Sequence, residues 1–228
     1  MSDHDLTIVR LSLWVALWAT LGSVPLAIGV AVLLSRGRFW GKSVLNGVVH
    51  LPLVLPPVVT GYVLLRLFGS QGPIGAALER GLGLVFAFRW TGAALAAAVM
   101  GFPLMVGAIR VALDGVDRRL EDSAQTLGAS PAWAFATVTL PLIGPGVLSG
   151  MVLAFAKSLG EFGATITFVS NIPGETQTLA LAIYSLAQVP GADSDTLRLV
   201  LLSVGLSFGA LLGSEALARR AQRRARGA

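Results

Sequence analysis

Lys157 and Glu161 stand four positions apart inside "LIGPGVLSGMVLAFAKSLGEF", residues 142–162, a run that is otherwise without charge. On a helix that spacing brings the ammonium within reach of a carboxylate one turn on. An ionised pair in such a run either fixes helix packing as a structural ion pair or borders a path for a polar solute. At about 100° per residue, Gly146, Gly150, Ala154, Lys157, Ser158 and Glu161 share one arc, with Leu148, Val152, Phe155, Leu159 and Phe162 opposite. Small residues four apart let backbones approach closely, so the small, polar face is predicted to point into a bundle.

The chain continues as "EFGATITFVSNIPGETQT", residues 161–178, rich in hydroxyls for a segment at the end of an apolar run. It reads either as a solvated turn or as a lining that passes a polar solute without holding it. The candidate pathway residues are Lys157, Ser158, Glu161, Thr165, Thr167 and Asn171.

Other chemistries find few residues to work with. There is no cysteine, so disulfides, thiolate metal sites and cysteine nucleophiles are excluded. HExxH does not occur, and the two histidines are His4 and His50. His50 lies in a proline-rich run and reads as a hydrogen-bonded packing residue. The stretch "GRFWGKS", residues 37–43, has three residues between its glycines where a phosphate-binding loop needs four. No catalytic residue, no metal site and no bound cofactor are expected.

The elements that must carry these residues are membrane helices. Hydrophobic residues make up 54% of the 228 and charged residues 13%, and mean hydropathy is +0.76, well outside soluble composition. Net charge is +5, but the bases cluster at the ends of apolar runs, which fits topology in a lipid bilayer and not nucleic acid.

The expected fold is all-α and integral to the membrane. Five spans are placed near 11–34, 44–66, 91–110, 142–163 and 197–217 within a domain covering 8–218, and a basic tail follows at 219–228. The second span should be kinked by Pro52, Pro56 and Pro57. Residues 178–189, "TLALAIYSLAQV", are too short to cross and read as a surface or re-entrant helix; five spans are expected, with six the alternative. Arg36, Arg38, Lys42, Arg110, Arg118, Arg119 and the arginines of the tail then share one side, which sets the N-terminus outside and the C-terminus inside.

On that inner side lies "RRLEDSAQTLGASPAWAFATVTLP", residues 118–141. Asp117 is a good N-cap, and Leu120, Ala124 and Leu127 form one stripe. Gly128 suits a left-handed helix end, Ser130 caps a second helix that begins at Pro131, and Pro141 marks the return to the membrane. The mixed charges of Arg118, Arg119, Glu121 and Asp122 suit a protein partner better than anionic lipid.

The unit at 117–141 resembles the EAA loop of ABC importer permeases: E-A-A, three residues, Gly, nine residues, Ile, one residue, Leu-Pro. Asp122, Ser123 and Ala124 stand at the E-A-A positions, Gly128 at the glycine, Val138 at the isoleucine and Leu140-Pro141 at the end. Asp for Glu and Ser for Ala are conservative departures. "HLPLVLPPVVTGY", "FPLMV" and "SLGEFGATITFVSNIPGETQT" are similar to molybdate permeases of this family. Sulfate permeases share the Gly-Glu-Phe/Tyr-Gly core, whereas "NIPGETQT" favours molybdate; sulfate and tungstate stay open.

The resemblance implies a type I importer permease in a bacterial inner membrane. Two five-span subunits would form the pore as a homodimer, with a cytoplasmic ABC ATPase dimer below and a periplasmic binding protein above. ATP would be used by the ATPase alone. Glu121, Asp122, Ser123, Ala124, Gly128, Leu140 and Pro141 would couple the two. A self-sufficient channel or secondary transporter would be favoured by an internal repeat, and none is found.

Overall fold

The computed structural model of the chain describes residues 3–226, with side chains described no further than Gly213. The tail expected at 219–228 lies outside the residues whose side chains are described. Among the described residues every regular element is helical.

Helix α1 (Asp3–Arg36) opens with Asp3 and Asp5 and closes with Arg36, charges that complement the helix dipole at both ends. Its buried hydroxyls are tolerated because Ser12, Thr20 and Ser23 each donate to the carbonyl four residues back. Helices α2 (Lys42–Val54) and α3 (Pro57–Phe68) replace the single kinked span expected at 44–66, and they meet at 115°. Two consecutive prolines explain the break. Leu55 and Pro56 are held extended, with ψ 144° and 131°, and Pro57 is preorganised as the first residue of a new helix.

A short helix, α4 (Pro73–Leu82), occupies a stretch that the sequence reading left without an element; it ends on Gly83 at φ +66°. Helix α5 (Trp90–Asp114) runs unbroken through Pro103 and is buried along Ala93, Ala94, Ala96, Ala97 and Met100. It forms the centre of the bundle, with α1 on one side and the helix Leu140–Leu159 on another.

Helices α6 (Arg119–Thr126) and α7 (Pro131–Ala134) form the loop unit. A π-helical turn, Phe135–Thr139, then leads into α8 (Leu140–Leu159), giving one apolar helical run from Pro131 to Leu159. Pro141 is therefore not a break. The wider turn before it, closed by the Leu140 N–H on the Phe135 carbonyl, makes room for a ring that would crowd an ordinary helix.

The fourth expected span also ends early, at Leu159 instead of 163. Helices α9 (Gly163–Val169), α10 (Leu179–Leu186) and α11 (Asp193–Arg226) complete the chain.

Among the described residues α1, α5 and the run Pro131–Leu159 are long and apolar enough to cross a membrane, and α2 with α3 makes a fourth if the bent pair is one span. The run expected at 197–217 falls in α11 and passes beyond the described side chains.

Contacts at the helix ends define two faces of the bundle. Ser35 Oγ donates to Asp114 Oδ1 at 2.5 Å and Arg36 pairs with Glu121, so α1 and α5 end beside α6. Opposite, Arg198 pairs with Asp5 at 3.2 Å and the Leu179 N–H donates to Ser12 Oγ at 2.8 Å, joining the starts of α1, α10 and α11.

Candidate functional site

The small face of α8 does pack inward, on α5. A Cβ on Gly150 would lie 3.0 Å from the Met105 carbonyl oxygen, one on Gly146 2.3 Å from Ala112 Cβ, and one on Gly101 3.2 Å from Ala154 Cα. These approaches hold α8 close enough for Ser158 Oγ to reach the Ala97 carbonyl at 3.5 Å.

Lys157 and Glu161 do meet, with Nζ 2.5 Å from Oε2, but across a helix end and not along one helix. Helix α8 ends at Leu159 with Gly160 as its cap, and Glu161 Oε1 accepts the Ala164 N–H at 3.1 Å. One carboxylate therefore serves the last turn of α8 and the first turn of α9, where the helix dipole favours a negative charge. The Glu161 side chain is 2% exposed and that of Lys157 30%. This is a buried acid whose base reaches toward open space.

Beyond it, the stretch expected at 161–178 as a solvated turn or a polar lining begins with a helix. Residues Gly163–Val169 form α9, with Ala164, Thr165, Phe168 and Val169 buried. Gly61 of α3 allows the contact: a Cβ there would sit 2.5 Å from the Ala164 carbonyl oxygen and 2.9 Å from Thr167 Cβ.

Thr167 donates to the Gly163 carbonyl at 2.9 Å. Asn171 leaves the group, since its amide donates to Ser185 Oγ on α10. The turn that follows is exposed at Pro173, Gly174 and Glu175 and leads inward after them. The Ile172 carbonyl receives the N–H groups of Glu175, Thr176 and Gln177, and Thr176, Gln177 and Thr178 are buried. Ser170 adopts φ 63°, ψ −163°, a region nearly reserved for glycine.

Of the candidate pathway residues, then, Lys157, Glu161 and Thr165 gather around the α8–α9 break, with Ser158 and Thr167 on flanking contacts. The sequence reading missed Thr60 of α3, buried with a hydroxyl that has no partner among the described residues. The signal was the dipeptide Thr60-Gly61, where a hydroxyl sits beside a residue with no side chain to obstruct a neighbour.

At the opposite face, the loop unit is built by local capping. Asp117 Oδ1 accepts the Arg119 N–H at 3.0 Å, and Ser130 Oγ accepts the Trp133 N–H at 3.3 Å. Gly128 has φ +96°, and the Ala129 N–H closes on the Ala124 carbonyl at 3.1 Å.

Asp122 and Ser123 are exposed, Ala124 is half-buried, and Leu140, at the start of α8, is exposed. The expected stripe of Leu120, Ala124 and Leu127 is divided. Leu127 is 89% exposed, Trp133 64% and Leu120 49%, so the apolar side of the unit faces outward. Glu121, grouped with the coupling residues from sequence, points the other way; it is held by Arg36 of α1 and by the Thr139 hydroxyl.

A capped helical unit with bared apolar residues sits at one face, and a buried ion pair lies between two helices toward the other. Comparison with known proteins gives this arrangement a family. The model of the binding-protein-dependent transport system inner membrane component matches residues 23–223.

Molybdenum transport system permease protein ModB of Haemophilus influenzae is 57% identical over 220 residues, covering 96% of each chain. Its namesake in Escherichia coli K12 is 56% identical over 225 residues, 99% of this chain and 98% of that one. In the solved structures, a bacterial alginate ABC transporter in complex with a pentasaccharide-bound periplasmic protein matches at TM-score 0.75 and 17% identity, covering 96% of this chain and 80% of that one. The chain belongs to the family of binding-protein-dependent transport system inner membrane components, the integral membrane subunits of ABC importers.

Proposed function

We propose that this chain is the permease subunit of an ATP-driven molybdate importer in a bacterial inner membrane. The observation that carries the reading is identity of 56–57% to molybdenum permeases along nearly the whole chain. In this reading two copies form the pore as a homodimer. Each spans five times, with α2 and α3 as one broken span, α11 as the last, the N-terminus outside and α6 in the cytoplasm. An ABC ATPase dimer docks on the α6–α7 unit, and a periplasmic binding protein delivers the oxyanion from the other side. The chain holds no nucleotide and performs no hydrolysis; ATP is consumed by the ATPase.

Physical chemistry supports this division of work. A ligand shifts a conformational equilibrium only through different affinity for the two states, so ATP must act through a body that bears on the permease differently in each. The bared Trp133 is the type of aromatic anchor that concentrates binding energy in an interface, and Leu120 and Leu127 add exposed apolar area beside it. A pore for a dianion must release as easily as it admits, which disfavours unpaired positive charge. Lys157 neutralised by Glu161 meets that condition, and selectivity then rests on the binding protein.

The test is purification with the cognate ATPase, followed by hydrolysis stimulated by binding protein loaded with molybdate, tungstate or sulfate. Molybdate is expected to stimulate most strongly. Stimulation by sulfate alone would reassign the substrate, and failure of any ATPase to co-purify would overturn the reading.

A further inference from the structure

Glu121 lies within the loop that faces the ATPase in the reading above, yet its carboxylate is turned away from the free surface. Both of its oxygens contact Arg36 Nη1, and Oε1 also accepts the Thr139 hydroxyl. The side chains of Arg36 and Glu121 are 18% and 13% exposed, and Thr139 is fully buried. Arg36 Nη2 is buried without a hydrogen-bond partner, so Glu121 alone compensates this guanidinium among the described residues. One carboxylate thus joins three elements: the last residue of α1, the first turn of α6 and the end of the π-helical turn that starts α8.

The neighbouring residues behave oppositely. Asp122 and Ser123 are exposed, and Leu120 and Leu127 project outward. Helix α6 is eight residues long and is tied to α8 through Gly128 and the short α7. A helix that short, on a left-handed glycine, would swivel under load if the chain were its only attachment. A buried ion pair is a strong constraint on geometry because losing either partner strands the other charge.

We propose that Glu121 is a positioning residue that latches α6 to the end of α1 through Arg36 and to the start of α8 through Thr139, so that a push on α6 moves both spans together. The latch rests on the importer reading and assigns Glu121 a role distinct from docking.

The experiment uses the complete complex in proteoliposomes, with binding protein loaded with molybdate, and measures ATPase retention and uptake per ATP hydrolysed. In E121Q the ATPase is expected to remain bound while uptake per ATP falls about ten-fold, within the span of ordinary coupling free energies. The reversed pair R36E/E121R is expected to recover part of that loss, which a docking contact would not.

Loss of the ATPase from E121Q would overturn the latch in favour of docking, and unchanged uptake per ATP would reduce the pair to packing. Should E121Q fail to assemble, T139V, which lacks one hydroxyl, decides by the same ratio: reduced uptake per ATP upholds the latch and an unchanged ratio overturns it. Failure of the importer reading would appear differently, as no uptake by the unmodified chain, and would take the latch with it.

Discussion

Glu161 is asked to do two things with one carboxylate: it neutralises Lys157 and it caps α9. Substitutions separate them. Glu161→Gln keeps an acceptor for the Ala164 N–H and loses the charge, whereas Glu161→Ala loses both. The alanine variant should be the less stable by about 1 kcal/mol, the value of an N-cap, read as a lower thermal midpoint of the purified complex. Lys157→Met should lower transport with assembly intact; a variant that does not assemble would show that the pair serves packing. Gly128, at φ +96°, makes a further case. Gly128→Val introduces strain of about 1–2 kcal/mol, and nothing lies near enough to obstruct the added side chain. The expected outcome is ATP hydrolysis that continues while uptake falls, and unchanged uptake would remove the glycine from the coupling path.

At the scale of elements, two glycines should respond in opposite ways. Gly61→Ala would drive a Cβ against the Ala164 backbone and part α3 from α9, at a cost of about 1–3 kcal/mol. Gly22→Ala, on α1 with nothing within 4 Å of the new carbon, should stabilise its helix by up to about 1 kcal/mol. Thermal unfolding of both variants beside the parent gives the comparison. These elements also mark what the sequence can reveal. Asp117, Gly128, Ser130 and Pro131 were legible because capping is settled within a few residues. The small face of α8 was legible because its period is that of the helix. The α2–α3 break was read only as a kink, since the prolines say that a helix is disturbed and not how far the next one turns; α9 decides that by packing on Gly61. Residues 163–169 look like a hydroxyl-rich loop until a partner helix buries them. The inward turn of Glu121 was hidden for the same reason: Arg36 lies far away in the chain, and no local rule joins them.

For the whole molecule, the helix-end contacts make a topological prediction. The chain has no cysteine, so single cysteines can be introduced without preparing a background. One replacing Trp40, fully exposed at the face where α1 ends, should react with an impermeant reagent from the cytoplasmic side. One replacing Val189, between α10 and α11, should react from outside. Reversed labelling would invert the orientation proposed for the pore. Leu127→Asp should detach the ATPase without unfolding the permease, since that side chain touches solvent and not the bundle. The break between α2 and α3 carries one more consequence. Pro56 and Pro57 have no N–H to offer, so the carbonyls of Pro52 and Leu53 lose the donors that a continuous helix would supply. Hydrocarbon cannot solvate a bare carbonyl, and irregular backbone at membrane depth survives where it meets protein or water. In the proposed membrane setting the bend is thus a place where the freed carbonyls must meet protein or water, a demand set by the backbone itself, whatever solute passes.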